Sequence, residues 1–112
     1  MDGKMLGRIT KATFGFGGYD EAMFGLSLTF TGGGDGSWGC GHFEGPWSME
    51  PSEHTQWTKE SQIKQMYEAC WLLKDTLVKA KKKDVSQLVG VPVECTFEGN
   101  LLKSWRVLEE VL

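Results

Sequence analysis

Apolar and polar positions alternate most clearly over residues 22–30. Ala22, Phe24, Leu26, Leu28 and Phe30 fall on one side, and Met23, Gly25, Ser27 and Thr29 on the other. A period of two sends successive side chains to opposite faces of a pleated strand, so a half-buried strand is expected there. Residues 8–16, with Ile9, Thr10, Thr13, Phe14 and Phe16, carry a second strand signal. Between them, Gly17-Gly18-Tyr19-Asp20-Glu21 predicts a hairpin connection, because glycine reaches positive φ at little steric cost. A third short strand is expected over 37–43, where Gly39 and Gly41 signal a bulge or a close approach of another backbone.

The period changes beyond Pro46 and Pro51. Thr58 is a candidate N-cap, and Glu60 then faces the positive end of a helix. Ile63, Met66, Tyr67, Cys70, Leu73, Leu77 and Ala80 recur at steps of three and four, which predicts one apolar stripe on a long helix. Glu60 with Lys64, and Lys64 with Glu68, are spaced as charge pairs on the outer face. Residues 84–90 read as a turn or a single helical turn closed by Gly90. Val91, Val93, Cys95 and Phe97 alternate with Pro92, Glu94, Thr96 and Glu98, the pattern of another strand. After the tight turn Glu98-Gly99-Asn100, residues 101–108 are expected to return as a strand with Trp105 and Val107 on one face; a helix over 102–112 is the competing reading. The order ββ(β)αββ predicts an α+β fold: an antiparallel sheet of four to five strands with one long helix packed on one face.

A chain of 112 residues has material for one core, so residues 1–112 are read as a single domain. No apolar run approaches the roughly 20 residues that span a bilayer, and Met1-Asp2-Gly3-Lys4-Met5 lacks the blocks of a signal peptide. Cytoplasm is therefore the expected compartment. Cys40, Cys70 and Cys95 are widely spaced and odd in number, which opposes a disulfide framework and a zinc ribbon. Net charge is −3, against non-specific nucleic-acid binding through cations. Charge is unevenly spread: there is no lysine or arginine between Lys11 and Lys59. That stretch holds nine of the 13 aromatic residues, most of the glycines, and the acids Asp20, Glu21, Asp35, Glu44, Glu50 and Glu53.

The letters Gly34-Asp35-Gly36-Ser37-Trp38-Gly39 match a dinucleotide fingerprint, but no helical period opens at them, so a hairpin loop is the better reading. Cys40 and His42, with Glu44 or His54, have metal-ligand chemistry without the second ligand pair of a structural zinc site. Cys40, His42 and Glu44 also have the residue types of a nucleophilic triad, but alternate positions of one strand are expected to line a face rather than converge. No catalytic set, metal site or cofactor is thus indicated. Phe14, Phe24 and Phe30 are assigned to the core, with Trp71 and Trp105 packing around the helix. Lys79, Lys81, Lys82 and Lys83 form the basic cluster, read as a solvated helix end or a site for an anion or nucleic acid.

The chain resembles a family of small accessory proteins encoded by phages and prophages. The resemblance rests on Phe14-Gly15-Phe16-Gly17-Gly18-Tyr19, on Trp38, Gly39, Gly41, Phe43, Gly45 and Trp47, and on Trp57-Thr58 and Lys74-Asp75-Thr76-Leu77. It continues through Leu88-Val89-Gly90, Pro92-Val93-Glu94, Gly99-Asn100 and Leu102-Lys103-Ser104-Trp105-Arg106-Val107-Leu108. It implies a phage setting, and no catalytic residues come with it. By analogy with such proteins, the expected function is to bind and inhibit a bacterial antiviral defence component in the host cytoplasm. Tyr19, Trp38, Phe43 and Trp47 would anchor that partner, and Asp35, Glu44 and Glu50 would steer it. An alternative is a sponge for a nucleotide-derived immune signal, with Gly34, Gly36 and Trp38 holding the base and Lys103 and Arg106 the phosphate. A DNA-associated or structural phage protein is a further reading. Exposed strand edges beside glycine loops are compatible with a homodimer.

Overall fold

The computed structural model describes residues 3–18, 21–33, 36–47 and 58–112. Five strands form one antiparallel sheet: β1 (Gly3–Gly17), β2 (Met23–Gly32), β3 (Trp38–Glu44), β4 (Pro92–Glu98) and β5 (Leu101–Val107). One long helix, α1 (Lys59–Ala80), follows β3. The α+β class, the five strands and the single helix agree with the sequence pattern. The strand reading of 101–108 holds through Val107, and the helical alternative is confined to one 3₁₀ turn at Glu109–Val111.

The sheet order is β3-β2-β1-β4-β5. The long β1 is central because it uses both edges in different registers. It pairs with β4 from Gly3 opposite Phe97 to Arg8 opposite Pro92, and with β2 from Gly7 opposite Gly32 to Gly17 opposite Met23, so Gly7 and Arg8 are flanked on both sides. A register shift between Ile9 and Lys11 marks the changeover. The sheet curls strongly. Phe30 on β2 lies 5.0 Å from Trp105 on β5, although two strands separate them in the sheet order. Trp38 on β3 meets the edge of Phe97 on β4 at 5.4 Å. The concave face is the core, built on Ile9, Leu26, Leu28, Phe30, Val93, Cys95, Phe97 and Val107.

The helix begins as the sequence implies. Thr58 Oγ1 accepts from the Ser61 amide at 3.1 Å, and Ser61 Oγ accepts from the Thr58 amide at 2.9 Å, a reciprocal capping box. It ends at Lys81, whose φ of 58° stops the helical path. The expected stripe is corrected. The side chains buried against the sheet are Gln62, Ala69, Thr76 and Ala80, with Leu72, Leu73 and Leu77 partly buried. The fully buried positions of this face are mostly small, with the leucines packed at its margins. Ile63, Tyr67 and Cys70, assigned to the core side, are exposed, and so is Trp71. Among the described residues, no helix is long and apolar enough to cross a membrane.

Candidate functional site

The curl brings β3 and β5, the two edges of the sheet, towards each other beneath α1. A pocket of about 360 Å³ opens there, lined by His42, Glu44, Glu68, Leu72, Leu102, Lys103, Ser104 and Trp105. His42 and Glu44 occupy alternate positions of β3 and so share a face. They do converge, contrary to expectation: His42 Nε2 lies 3.2 Å from Glu44 Oε2, because a glutamate is long enough to fold back along its own strand. The His42 ring stands 6.5 Å from the Trp105 ring, which forms an aromatic wall. Glu68 adds a second carboxylate from α1. Lys103 brings the one cation of this lining, but it is exposed and lies 3.7 Å from Glu98 Oε2, which draws its charge outward.

The remaining side chains singled out from the sequence are dispersed. Tyr19, Gly34, Asp35 and Glu50, with His54 and Trp57, lie outside the described residues. Trp38 is a core side chain, only 8% exposed, seated over Gly7 and Gly32. A Cβ at Gly32 would stand 2.2 Å from the Trp38 ring, so these glycines are flat supports for the indole. That position removes Trp38 from any docking surface and from base stacking. Phe43 sits on the opposite face of β3 from His42 and lies over Gly17. Trp47 is 39% exposed beyond the end of β3. Arg106 grips Glu110 with both terminal nitrogens, at 3.0 and 2.9 Å, and donates through Nε to Glu94 at 3.2 Å. Those bonds hold the guanidinium charged and push the Glu110 carboxyl down to about 2. Arg106 is therefore committed within the fold, and a phosphate would have to displace two carboxylates. Of the proposed site residues, Glu44 and Lys103 share the β3–β5 pocket, and Lys103 and Arg106 share a pocket of about 390 Å³ beside β4 and β5 with Lys4 and Glu94.

Glu68 and Arg8 carry no local signal of a site, and His42 and Trp105, singled out for other roles, are joined to the pocket only by the fold. His42, Glu68 and Trp105 come from three separate elements. Arg8 lines a second, larger pocket of about 540 Å³ with Thr10, Thr31, Gly32, Gly33 and Gly36, and so supplies the cation that the glycine loop lacks. Its Nη1 donates to the Gly90 carbonyl at 2.8 Å, which orients the guanidinium. Among the basic cluster, Lys79 is tied to Asp75 at 2.9 Å, while Lys81, Lys82 and Lys83 are exposed.

Cys40 and Cys95 interact with each other inside the curl. Burial raises both thiols, Cys95 to about 12, so the pair is protonated and unreactive as a nucleophile at neutral pH. Cys40 thus points into the core rather than towards a substrate. Among the described residues, no group of three histidine, cysteine or acidic side chains is arranged to hold a metal ion. No known protein family matches this chain, and neither does any curated protein or solved structure.

Proposed function

We propose that this chain is a non-enzymatic phage accessory protein that binds and inhibits a component of bacterial antiviral defence. The contact point would be the pocket between β3, β5 and α1, which would receive an arginine or lysine from a basic surface such as a nucleic-acid channel. The observation that carries this reading is the joint lining by Glu44, Glu68 and the Trp105 ring. Carboxylates accept charge-assisted hydrogen bonds from a guanidinium, and an indole face attracts a cation. His42, bonded to Glu44, would fix the orientation of the accepting oxygens. Trp47, beyond the end of β3, would add apolar contact.

The test is phage plating on bacterial strains that each carry one nucleic-acid-targeting defence system and express this protein. Plating should be restored for at least one system, and Glu44→Lys with Glu68→Lys should abolish the rescue without lowering expression. Unchanged restriction across all systems would overturn the proposal. A second reading, a sponge for a nucleotide-derived signal, is favoured by Arg8 beside Gly32, Gly33 and Gly36. It requires that cyclic or ADP-ribose-derived nucleotides raise the melting temperature of the wild type but not of Arg8→Ala.

A further inference from the structure

Helix α1 carries a second apolar face, turned to solvent. Ile63, Tyr67, Trp71 and Val78 are 59, 64, 47 and 62% exposed, and Cys70 is exposed among them. At about 100° per residue these positions, with Lys74, fall within one arc of roughly 100° running along the helix. Single exposed apolar residues are ordinary, but a continuous stripe on a 22-residue helix is a contact surface.

We propose that a second copy of this chain covers this stripe, with the two α1 helices antiparallel and the two-fold axis passing between Cys70 and Trp71. The stripe is self-complementary in this arrangement. Ile63 of each copy meets Val78 of the other, Tyr67 meets Lys74, and Cys70 meets Trp71. At the two ends, Glu60 in the first turn meets Lys81 at the C-cap, so acidic helix starts face basic helix ends. The antiparallel dipoles also attract. Lys74, whose Nζ already sits 4.2 Å from the Trp71 ring centroid, would lie between two aromatic rings, its own Trp71 and Tyr67 of the other copy. A parallel pair would instead oppose Lys74 to Lys74 and Glu60 to Glu60. An isologous contact of this kind is the commonest way for identical chains to associate.

A single helix pair about 33 Å long lies near the small end of stable interfaces, so the dimer should dissociate on dilution. Glu68 is rotated about 100° from Tyr67 around the helix, which leaves the β3–β5 pocket open in the dimer. The two proposals therefore fail separately: loss of dimerisation does not touch the plating assay's charge variants.

The test is sedimentation equilibrium of the full chain, together with cross-linking through Cys70 by a short-armed bismaleimide. The wild type should show a concentration-dependent monomer–dimer equilibrium and a cross-linked dimer that Cys70→Ser abolishes. Ile63→Glu should weaken association at least tenfold, and I63E/V78K should restore it, because the two introduced charges meet only across an antiparallel pair. Both sites are exposed, so folding should be unaffected, as circular dichroism would verify. A monomer at all accessible concentrations would overturn the proposal. So would a dimer indifferent to Ile63→Glu, or one that I63E/V78K fails to restore.

Discussion

Replacing Trp38 separates a core role from a docking role. The ring is 8% exposed, rests on Gly7 and Gly32, and meets Phe97 edge-on at 5.4 Å. Truncating such a side chain to alanine costs about 3–5 kcal/mol, through lost transfer energy plus the cavity left behind. For 112 residues the unfolding entropy near the melting temperature is roughly 0.24 kcal/mol/K. Trp38→Ala should therefore lower the melting temperature by about 13–20 °C. Trp38→Phe should be far milder, because two terms oppose each other. The smaller ring loses roughly 1–2 kcal/mol of packing. The indole Nε1 is a buried donor without a partner among the described residues, and removing it returns about 1–3 kcal/mol. Trp71→Ala, at a half-exposed ring, should cost no more than about 1 kcal/mol, or about 4 °C, at concentrations where the chain is monomeric. Differential scanning fluorimetry of the three variants measures the order. If Trp38→Ala shifts the midpoint by less than about 4 °C, or Trp38→Phe falls as far as alanine, the ring is not the core side chain described.

Gly25→Ala should destabilise by about 3 kcal/mol, since the new Cβ would stand 2.1 Å from the Glu44 carbonyl oxygen, a backbone atom that cannot swing aside. Gly15→Ala, opposite it in the ladder with open space around its Cβ, should change the unfolding free energy by no more than about 0.5 kcal/mol, and equal losses for the two would contradict the register. Stability should fall as pH rises from 9 to about 12: the Cys95 thiol is raised from 9.0 in the fold, so its contribution is complete below the unfolded value and is lost through the folded one. Melting curves of Cys95→Ala across that range should be flatter; an identical slope would refute the assignment. At the acid end the sign reverses. Glu110 is lowered from 4.5 to about 2 by Arg106, so its contribution is present above 4.5 and lost towards 2, and Glu110→Gln should remove that part of the acid transition.

The elements were legible where one face is buried and the other wet. Over Leu26, Leu28 and Phe30, and again over Val93, Cys95 and Phe97, burial follows the alternation in the sequence. The helix start was legible because a cap is local chemistry: Thr58 caps it and Glu60 lies in the first turn, and the structure adds the reciprocal bond to Ser61. The candidate pocket was not legible. His42 and Trp105 belong to strands at opposite edges of the sheet order, and only the curl makes them neighbours. The core role of Trp38 was not legible either, because its support, Gly7 and Gly32, comes from two other strands and leaves no local trace. The loop acids Asp35 and Glu50 lie outside the described residues, so the acidic contact argued here rests on Glu44 and Glu68.

The helix presents the more instructive misreading. Steps of three and four identify an apolar stripe but not the surface that it covers. Here two apolar arcs run along one helix, and the larger side chains lie on the arc facing away from the sheet. Packing geometry explains the division. A helix held close over a concave sheet admits Ala69, Thr76 and Ala80, whereas Tyr67 and Trp71 would force it outward. The buried Thr76 hydroxyl satisfies itself on the Leu72 carbonyl at 2.7 Å, so a polar residue on the inner arc carries no unmet donor. Bulky apolar residues on the outer arc then gain little from the fold of a single chain. Their stabilising value depends on a second surface, and their pairing under two-fold symmetry makes this chain's own helix that surface. Under the two proposals the contacts are separate: the outer helix arc would serve self-association, and the acidic, tryptophan-walled pocket at the sheet seam would take a basic partner.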